Sequence, residues 1–457
     1  MARKRPRALQ LWMNGTRVGT WTLPSHAPDI LQYDPQWTQS PAGRPLSLSL
    51  PFTPGNQPLR GDAVRAYFEN LLPDSKDIRE RMARRFGVSA SSAYELLAEV
   101  GRDCVGALEI LPEGAVPTGT GPLQARPLDE AEVAQVLRSA TMPQSLGRAD
   151  DVDFRLSLAG AQEKTALLQQ EGRWFMPQGS TPTTHIFKLP LGLIGGLKID
   201  MRHSVENEWL CSMILKAFGV PVADCWPAQF EDVKVLVVER FDRAWLSNLG
   251  QQRRLLRLPQ EDLCQATATP PSIKYEADGG PGMDRLMTVL GGSVTREEDR
   301  RIFFKAQLLF WLLRAPDGHA KNFSLRLLAG GRYQLTPLYD VLSAYPVLGT
   351  GRSQLSPFKV KMAMAVRSKN PHWEMRGILR RHWLALGARY GITTEDGRPA
   401  AELIDEMIEA VPQVVDTVQA ELPPGFPDEV ASRILKGLLD AAQRLKNPAP
   451  SNPGGPG

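Results

Sequence analysis

The chain has 457 residues, 42% hydrophobic and 23% charged, an ordinary globular balance in a length that calls for two or three structural units. No apolar run approaches the roughly 20 residues of a membrane span, and the basic start MARKRPRALQLW lacks the apolar stretch and cleavage site of a signal peptide. Cys104, Cys211, Cys225 and Cys264 lie far apart with no CxxC or Cys/His ligand spacing, which excludes a zinc site and points to reduced thiols in a cytoplasmic protein with no membrane partner.

In chain order, ALQLWM and RVGTWTL flank Asn14-Gly15, the signal of a two-residue hairpin. SLSLPF (47–52) alternates like another strand. Asp74 or Ser75 caps a helix that carries Ile78, Met82 and Phe86 four apart and stops at Gly87. A second helix covers about 90–100, CVGALEIL (104–111) returns to strand, and the Pro/Gly-rich stretch 112–127 is a surface loop before a short helix near 128–139. These elements make an N-terminal α/β unit over 1–145.

From 150 to 258 the pattern is β-rich, with one amphipathic helix at 205–218 and a buried strand in KVLVVERF (234–241). From 259 to 446 it is mainly helical, with helices at 284–290, 297–314, 373–389, 400–420 and 427–446, and 447–457 is a low-complexity, disordered tail. The fold class is α+β: a β-rich lobe followed by a helical lobe suits a protein that clamps a nucleotide between two lobes.

The net charge of +4 is unevenly spread. Residues 351–390 hold nine Lys/Arg, among them Arg376, Arg380 and Arg381, against one acid, Glu374, with Phe358, Trp373 and Trp383 interleaved. Such a block suits nucleic acid or an acidic partner, and equally a solvated face over buried aromatics.

The chemistry concentrates in APDGHAKNFSL (315–325), where Asp317 and Asn322 stand in a D-x4-N spacing, with Asp340 eighteen residues beyond Asn322 in LTPLYDVLS. A kinase catalytic loop uses this arrangement: an Asp base, an Asn five residues on, and a later Asp for Mg²⁺. The base needs a carboxylate within reach of the attacking hydroxyl, and the metal needs hard oxygen ligands. The bland alternative is that Asp317 and Asn322 shape a surface turn. Upstream, Lys188 in THIFKLP faces phosphates or snorkels from a strand edge, with Glu206 or, preferably, Glu208 to orient it. ERF (239–241) occupies the place of a linker between lobes, where the backbone at Glu239 and Phe241 pairs with adenine. His319 braces the loop by hydrogen bonding, with phosphate contact as the alternative. In FRLSLAGAQEKTALL (154–168), Ala159, Gly160, Ala161 and Gln162 suit a phosphate cradle with few glycines, Gly160 between two alanines allowing some approach, a plain hairpin, or a loop that uses Ser157 at its entrance.

Taken together, RPLSLSLPF, NLLPDS, EVGRDCVGAL, FRLSLAGAQEKTALL, TPTTHIFKLP, VENE, VERFDR, LRLPQEDLCQATATPPSIKYEADGGPG, DGHAKNFS and LTPLYDVLSAYP closely resemble, in order, the HipA family of serine/threonine kinase toxins from bacterial toxin–antitoxin modules. The resemblance implies a two-lobed, protein-kinase-like fold with an extra N-terminal subdomain, and ATP and Mg²⁺ between the lobes. It implies Asp317 as base, Asn322 and Asp340 on the metal, Lys188 on the ATP phosphates, and the Glu239–Phe241 backbone on adenine. It further implies autophosphorylation of Ser157 as an off-switch, a HipB-like helix-turn-helix antitoxin as partner, operator DNA bound by the pair, and an aminoacyl-tRNA synthetase, glutamyl-tRNA synthetase in the best-known branch, as substrate. Two other classes compete: a catalytically weak DNA-binding corepressor, which the basic block favours, and a small-molecule phosphotransferase, which shares the Asp/Asn/Asp logic.

Overall fold

The computed structural model of the chain describes residues 8–118, 123–141, 162–246 and 253–446. Ser157, Ala159, Gly160 and Ala161, and the tail 447–457, lie outside the described residues. The chain folds as two lobes with an additional N-terminal unit, the α+β architecture expected from the sequence.

The N-terminal unit is built on the hairpin Leu9–Met13/Thr16–Thr22, closed by Asn14 (φ 46°) and Gly15 (φ 82°), the left-handed pair that a tight hairpin needs. Three further strands, Ile30–Tyr33, Leu59–Arg60 and Leu108–Pro112, complete an antiparallel sheet. Helices Asp62–Glu69, Lys76–Phe86 and Ala93–Val100 cover it, around a core of Trp21, Tyr67, Phe68 and Tyr94. Ser75, not Asp74, caps the second helix. SLSLPF (47–52) is not a strand: Ser47 and Ser49 both donate to the Gln265 carbonyl and the Leu48 amide donates to Glu261. Its alternation therefore marks one side buried against the helical lobe, not a ladder. Ile30–Tyr33, only four residues long, carried too short a pattern to be read.

The β lobe is a six-stranded antiparallel sheet ordered Cys225–Phe230, Val233–Glu239, His185–Lys188, Lys164–Gln170, Arg173–Pro177 and Ala125–Leu128. One face buries Leu167, Phe187, Val235 and Val237 under Val133 and Leu137 of helix Glu130–Thr141. Residues 125–141, assigned from sequence to the N-terminal unit, thus pack with the β lobe. Helix Ser204–Ala217 packs against Cys225–Phe230 and Val233–Glu239. It is not amphipathic: Val205 through Ser212 are all buried, because it runs between the β lobe and the helical lobe.

The helical lobe is organised by Arg296–Leu312, whose first turn carries Glu297, Glu298 and Asp299, favourable at a helix N-terminus. Met283–Leu290, Arg380–Tyr390, Ala400–Ala420 and Asp428–Lys446 surround it in one large core. The helix expected over 373–389 is instead a strand, Pro371–Glu374, followed by the helix from Arg380. That strand pairs with Lys361–Arg367, which was not anticipated because its apolar residues sit inside a basic block.

A buried cluster fastens the N-terminal unit to the lobes. Asp103 accepts hydrogen bonds from the Thr183 amide (3.0 Å) and hydroxyl (2.7 Å) and from Arg240 (3.3 Å), Arg243 (2.8 Å) and Arg257 (3.0 Å). Burial alone would raise its carboxyl, but the three guanidinium groups reverse this and hold it well below the usual range. Glu261 is fully buried, with one oxygen on the Leu48 amide. Burial pushes it up to about 8 from 4.5. A carboxyl raised in the folded state contributes stability below its unfolded value and loses it as pH rises through its folded value. The unfolding temperature is therefore expected to fall between pH 4.5 and about 8, and Glu261→Gln to flatten that fall. An unchanged slope in the variant contradicts the assignment.

Candidate active site

Three residues of VENE fasten helix Ser204–Ala217 to its surroundings. Asn207 makes a two-point clamp on Ser343 (2.8 Å in each direction), which fixes the segment after Asp340. Glu206 pairs with Lys234. Glu208 accepts from Lys188 Nζ at 2.6 Å. The same ammonium donates to Asp340 Oδ1 at 2.7 Å, so Lys188, Glu208 and Asp340 meet although up to 152 residues separate them. Burial works against the charge of Lys188, but Asp340 and Glu208 together hold its pKa above the ordinary value. Burial likewise opposes the Asp340 charge, and Lys188 and Lys164 bring it down to about 2. Asp340 has φ 65°, a left-handed backbone that Asp tolerates at a cost and that clusters at functional sites.

Lys164 was missed in the sequence. It stands directly across the antiparallel pair from Lys188, and burial with the neighbouring Lys188 charge lowers it to about 8. The signal available was the lysine at the end of AGAQEK, on the first residue of a strand whose partner carries Lys188.

Asp317 follows the buried helix Arg296–Leu312 and heads a tight loop. The Asp317 carbonyl accepts the His319 amide (2.8 Å) and the Asn322 side-chain amide (2.7 Å), and the His319 carbonyl accepts the Asn322 amide (2.9 Å). Gly318 is required by close approach, since a Cβ there would lie 2.2 Å from the Phe310 ring. Pro316 precedes the loop without disturbing these bonds. The Asp317 side chain is 51% exposed. His319 is buried and neither ring nitrogen has a hydrogen-bond partner among the described residues, so it braces the loop through its backbone and not through its ring. It packs edge-on against Tyr275, 5.0 Å between ring centres, and burial lowers its pKa. A buried neutral imidazole with two unspent nitrogens beside Asp317 is a group waiting for a polar ligand.

Four further contacts were invisible to local pattern. Asp74, at the end of the N-terminal unit's NLLPD, takes Lys321 on one oxygen (2.6 Å) and Lys274 on the other (2.8 Å). Burial opposes its charge and the two lysines bring it down to about 2. Arg81 of the same unit pairs with Glu163, while Gln162 donates to the Leu189 carbonyl (2.5 Å).

At the inter-lobe connection Glu239 is exposed and its amide is spent on the Asp224 carbonyl (2.8 Å), while Phe241 packs against Tyr339 (5.8 Å between rings). Of the basic block, Arg380 is ion-paired with Asp405, Arg376 lies over the Phe358 ring (4.8 Å), and Arg381 is exposed. Arg367 and Arg389 are also engaged, on Glu276 and Asp284. Three of the block's nine cations, Arg367, Arg380 and Arg389, are therefore committed to carboxylates inside the chain.

Among the described residues no group of three or more His, Cys, Asp or Glu side chains is placed to hold a metal by itself. Mg²⁺ needs fewer, because it keeps waters and takes substrate phosphates beside one or two protein oxygens. Asp340 has one oxygen off Lys188, and Asn322, its amide nitrogen spent on the loop, presents its oxygen. The donor set fits that ion.

A β lobe and a helical lobe, with a lysine–carboxylate pair in one and an Asp-x4-Asn loop in the other, define a protein-kinase-like fold. Residues 9–111 match the HipA N-terminal domain and residues 156–415 the HipA-like C-terminal domain. The chain belongs to the HipA family of kinases. It is 33% identical to the putative kinase Y4mE of Sinorhizobium fredii over 417 residues (90% of this chain, 92% of the relative), and 29% identical over 371 residues to the serine/threonine-protein kinase toxin HipA of Shewanella oneidensis (78% of each). Its fold is similar to that of Shewanella oneidensis HipA, solved with HipB and its operator DNA, at a TM-score of 0.75, 26% identity and 96% and 97% coverage of the two chains. No helix among the described residues is long and apolar enough to cross a membrane.

Proposed function

We propose that the chain transfers the γ-phosphoryl group of ATP to a serine or threonine hydroxyl of a protein. The observation that carries this reading is Lys188 held between Glu208 and Asp340, with the Asp317/Asn322 loop tied beside it by Tyr339, whose hydroxyl donates to the Lys321 carbonyl (3.2 Å). Lys188 spends two of its three donors on these carboxylates, which leaves one N–H for a phosphate oxygen. Asn322 and Asp340 would hold Mg²⁺, which would supply charge neutralisation for the phosphates. Asp317 accepts the proton of the attacking hydroxyl as its oxygen bonds to the γ-phosphorus. The bond to the bridging oxygen breaks, and ADP leaves. His319 offers a neutral donor beside the transferred group. The backbone between Glu239 and Phe241 supplies the adenine contacts, and the segment Ala159–Gln162 covers the phosphates.

Lys188→Met is expected to weaken ATP binding at least tenfold by loss of a charge-assisted bond, worth about 1.5–3 kcal/mol, measured by calorimetry. Equal affinity would contradict the assignment. The acceptor includes Ser157 of the chain itself, and its phosphorylation, adding about −1.5 to −2 charges beside the ATP phosphates, switches the kinase off. Accordingly Ser157→Asp lowers ATP affinity.

The physiological role that fits is a growth-inhibiting toxin of a toxin–antitoxin module, neutralised by a HipB-like antitoxin, with an aminoacyl-tRNA synthetase, glutamyl-tRNA synthetase foremost, as target. What supports it is the family and the likeness over nearly the whole chain to a HipA solved with HipB and operator DNA. A corepressor role on operator DNA, jointly with the antitoxin, is the second reading. The exposed cations Arg376 and Arg381, more than the paired Arg380, favour it.

A further inference from the structure

Among the described residues, the Tyr275 hydroxyl is the one group hydrogen-bonded to the Asp317 carboxylate, and it donates to Oδ1. Asp317 is otherwise a half-exposed side chain, free to rotate out of line with an acceptor. Tyr275 is itself held from both sides. Lys274 before it is bound to Asp74 of the N-terminal unit (2.8 Å). Glu276 after it accepts the Ala365 amide (2.5 Å) and pairs with Arg367, on the strand Lys361–Arg367 of the helical lobe. Its own carbonyl takes the Asp278 (3.1 Å) and Gly280 (2.9 Å) amides, closing the turn, and its ring stands edge-on to His319.

We propose that Tyr275 is a positioning residue for phosphoryl transfer: by donating to Oδ1 it fixes the Asp317 carboxylate so that Oδ2 is left to receive the acceptor's proton. The idea rests on Asp317 being the base. Burial and the adjacent Asp317 charge raise the Tyr275 hydroxyl, so it remains a donor and keeps its own proton through the step. Because Lys274 and Glu276 anchor the tyrosine to two different units, the N-terminal unit sets the base through this residue, without touching substrate.

The test is the rate of label transfer from γ-³²P-ATP with Mg²⁺ to the full-length chain and to heat-inactivated bacterial extract, over a range of ATP concentrations, for wild type, Tyr275→Phe and Asp317→Asn. Tyr275→Phe keeps the ring and its contacts. Its maximal rate should fall about 10- to 100-fold, with half-saturating ATP within about twofold of wild type and an unchanged unfolding temperature. A wild-type rate in Tyr275→Phe overturns the proposal, and so does a fall matched by lost ATP affinity or lost stability, which marks a structural role. If Asp317→Asn is as fast as wild type, the reading of Asp317 as base fails and this inference with it. If Asp317→Asn is slow and Tyr275→Phe is not, only this inference fails. A wild-type chain that labels nothing overturns both.

Discussion

Asp317→Asn is expected to slow phosphoryl transfer by about 10²- to 10⁴-fold, the usual contribution of a positioned general base, with no loss of folded stability. The stability half follows from exposure. The Asp317 side chain is half in solvent, and the loop is held by its backbone carbonyl, which takes the His319 and Asn322 donors. An amide retains the shape and still accepts from Tyr275, but has no carboxylate to take the proton. Surface substitutions of this kind change stability by about 0.5 kcal/mol or less. ATP affinity should also persist, since Lys188 and Asp340 are untouched. Rate, affinity and unfolding temperature measured on one preparation separate a missing base from a damaged site.

Asp103→Ala is expected to be the most destabilising single change in the chain, by about 3–5 kcal/mol, the cost of removing one partner of a buried ion cluster. Arg240, Arg243 and Arg257 would be left buried around a void, with side chains only 1–2% exposed. Asp242 retains Arg240 and the Gly106 amide, so the lobes keep part of the network. The contacts from Asp103 to Thr183, Arg240, Arg243 and Arg257 are buried contacts that cross between the N-terminal unit and the lobes, beside the hydrogen bonds from Ser47, Leu48 and Ser49 and the Asp74 ion pairs. Urea unfolding should therefore lose its single transition, the N-terminal unit separating first. Limited proteolysis should then cut in the connection near 112–124. A variant that unfolds at the wild-type midpoint would show that the cluster contributes little.

The legible parts of the fold were those with local grammar. Asn14-Gly15 announced its hairpin, KVLVVE its buried strand, and the apolar period over 297–314 and 400–420 its helices. Elements governed by distant partners were not legible: SLSLPF alternates because one side faces Gln265 and Glu261 more than 200 residues away, and helix Ser204–Ala217 is buried all round because lobes enclose it. The site divides in the same way. Asp317, Asn322 and Asp340 stand in a kinase-like spacing, whereas Lys188 is legible only from its strand, and Glu208 is preferred over Glu206 with no spacing to separate them. Asp74, Tyr275 and Lys164 act across units or across a sheet, and their only trace was membership of NLLPDS, PPSIKYE and AGAQEK, motifs without periodicity of their own.

The most direct test of the central claim is transfer of label from γ-³²P-ATP, in Mg²⁺, to protein hydroxyls by the purified full-length chain. The account predicts phosphoserine or phosphothreonine in the wild-type reaction, Ser157 among the sites, and none with Asp340→Asn or without divalent cation. Label that stays on the nucleotide or its inorganic phosphate, or moves to protein equally well with Asp340→Asn, contradicts it.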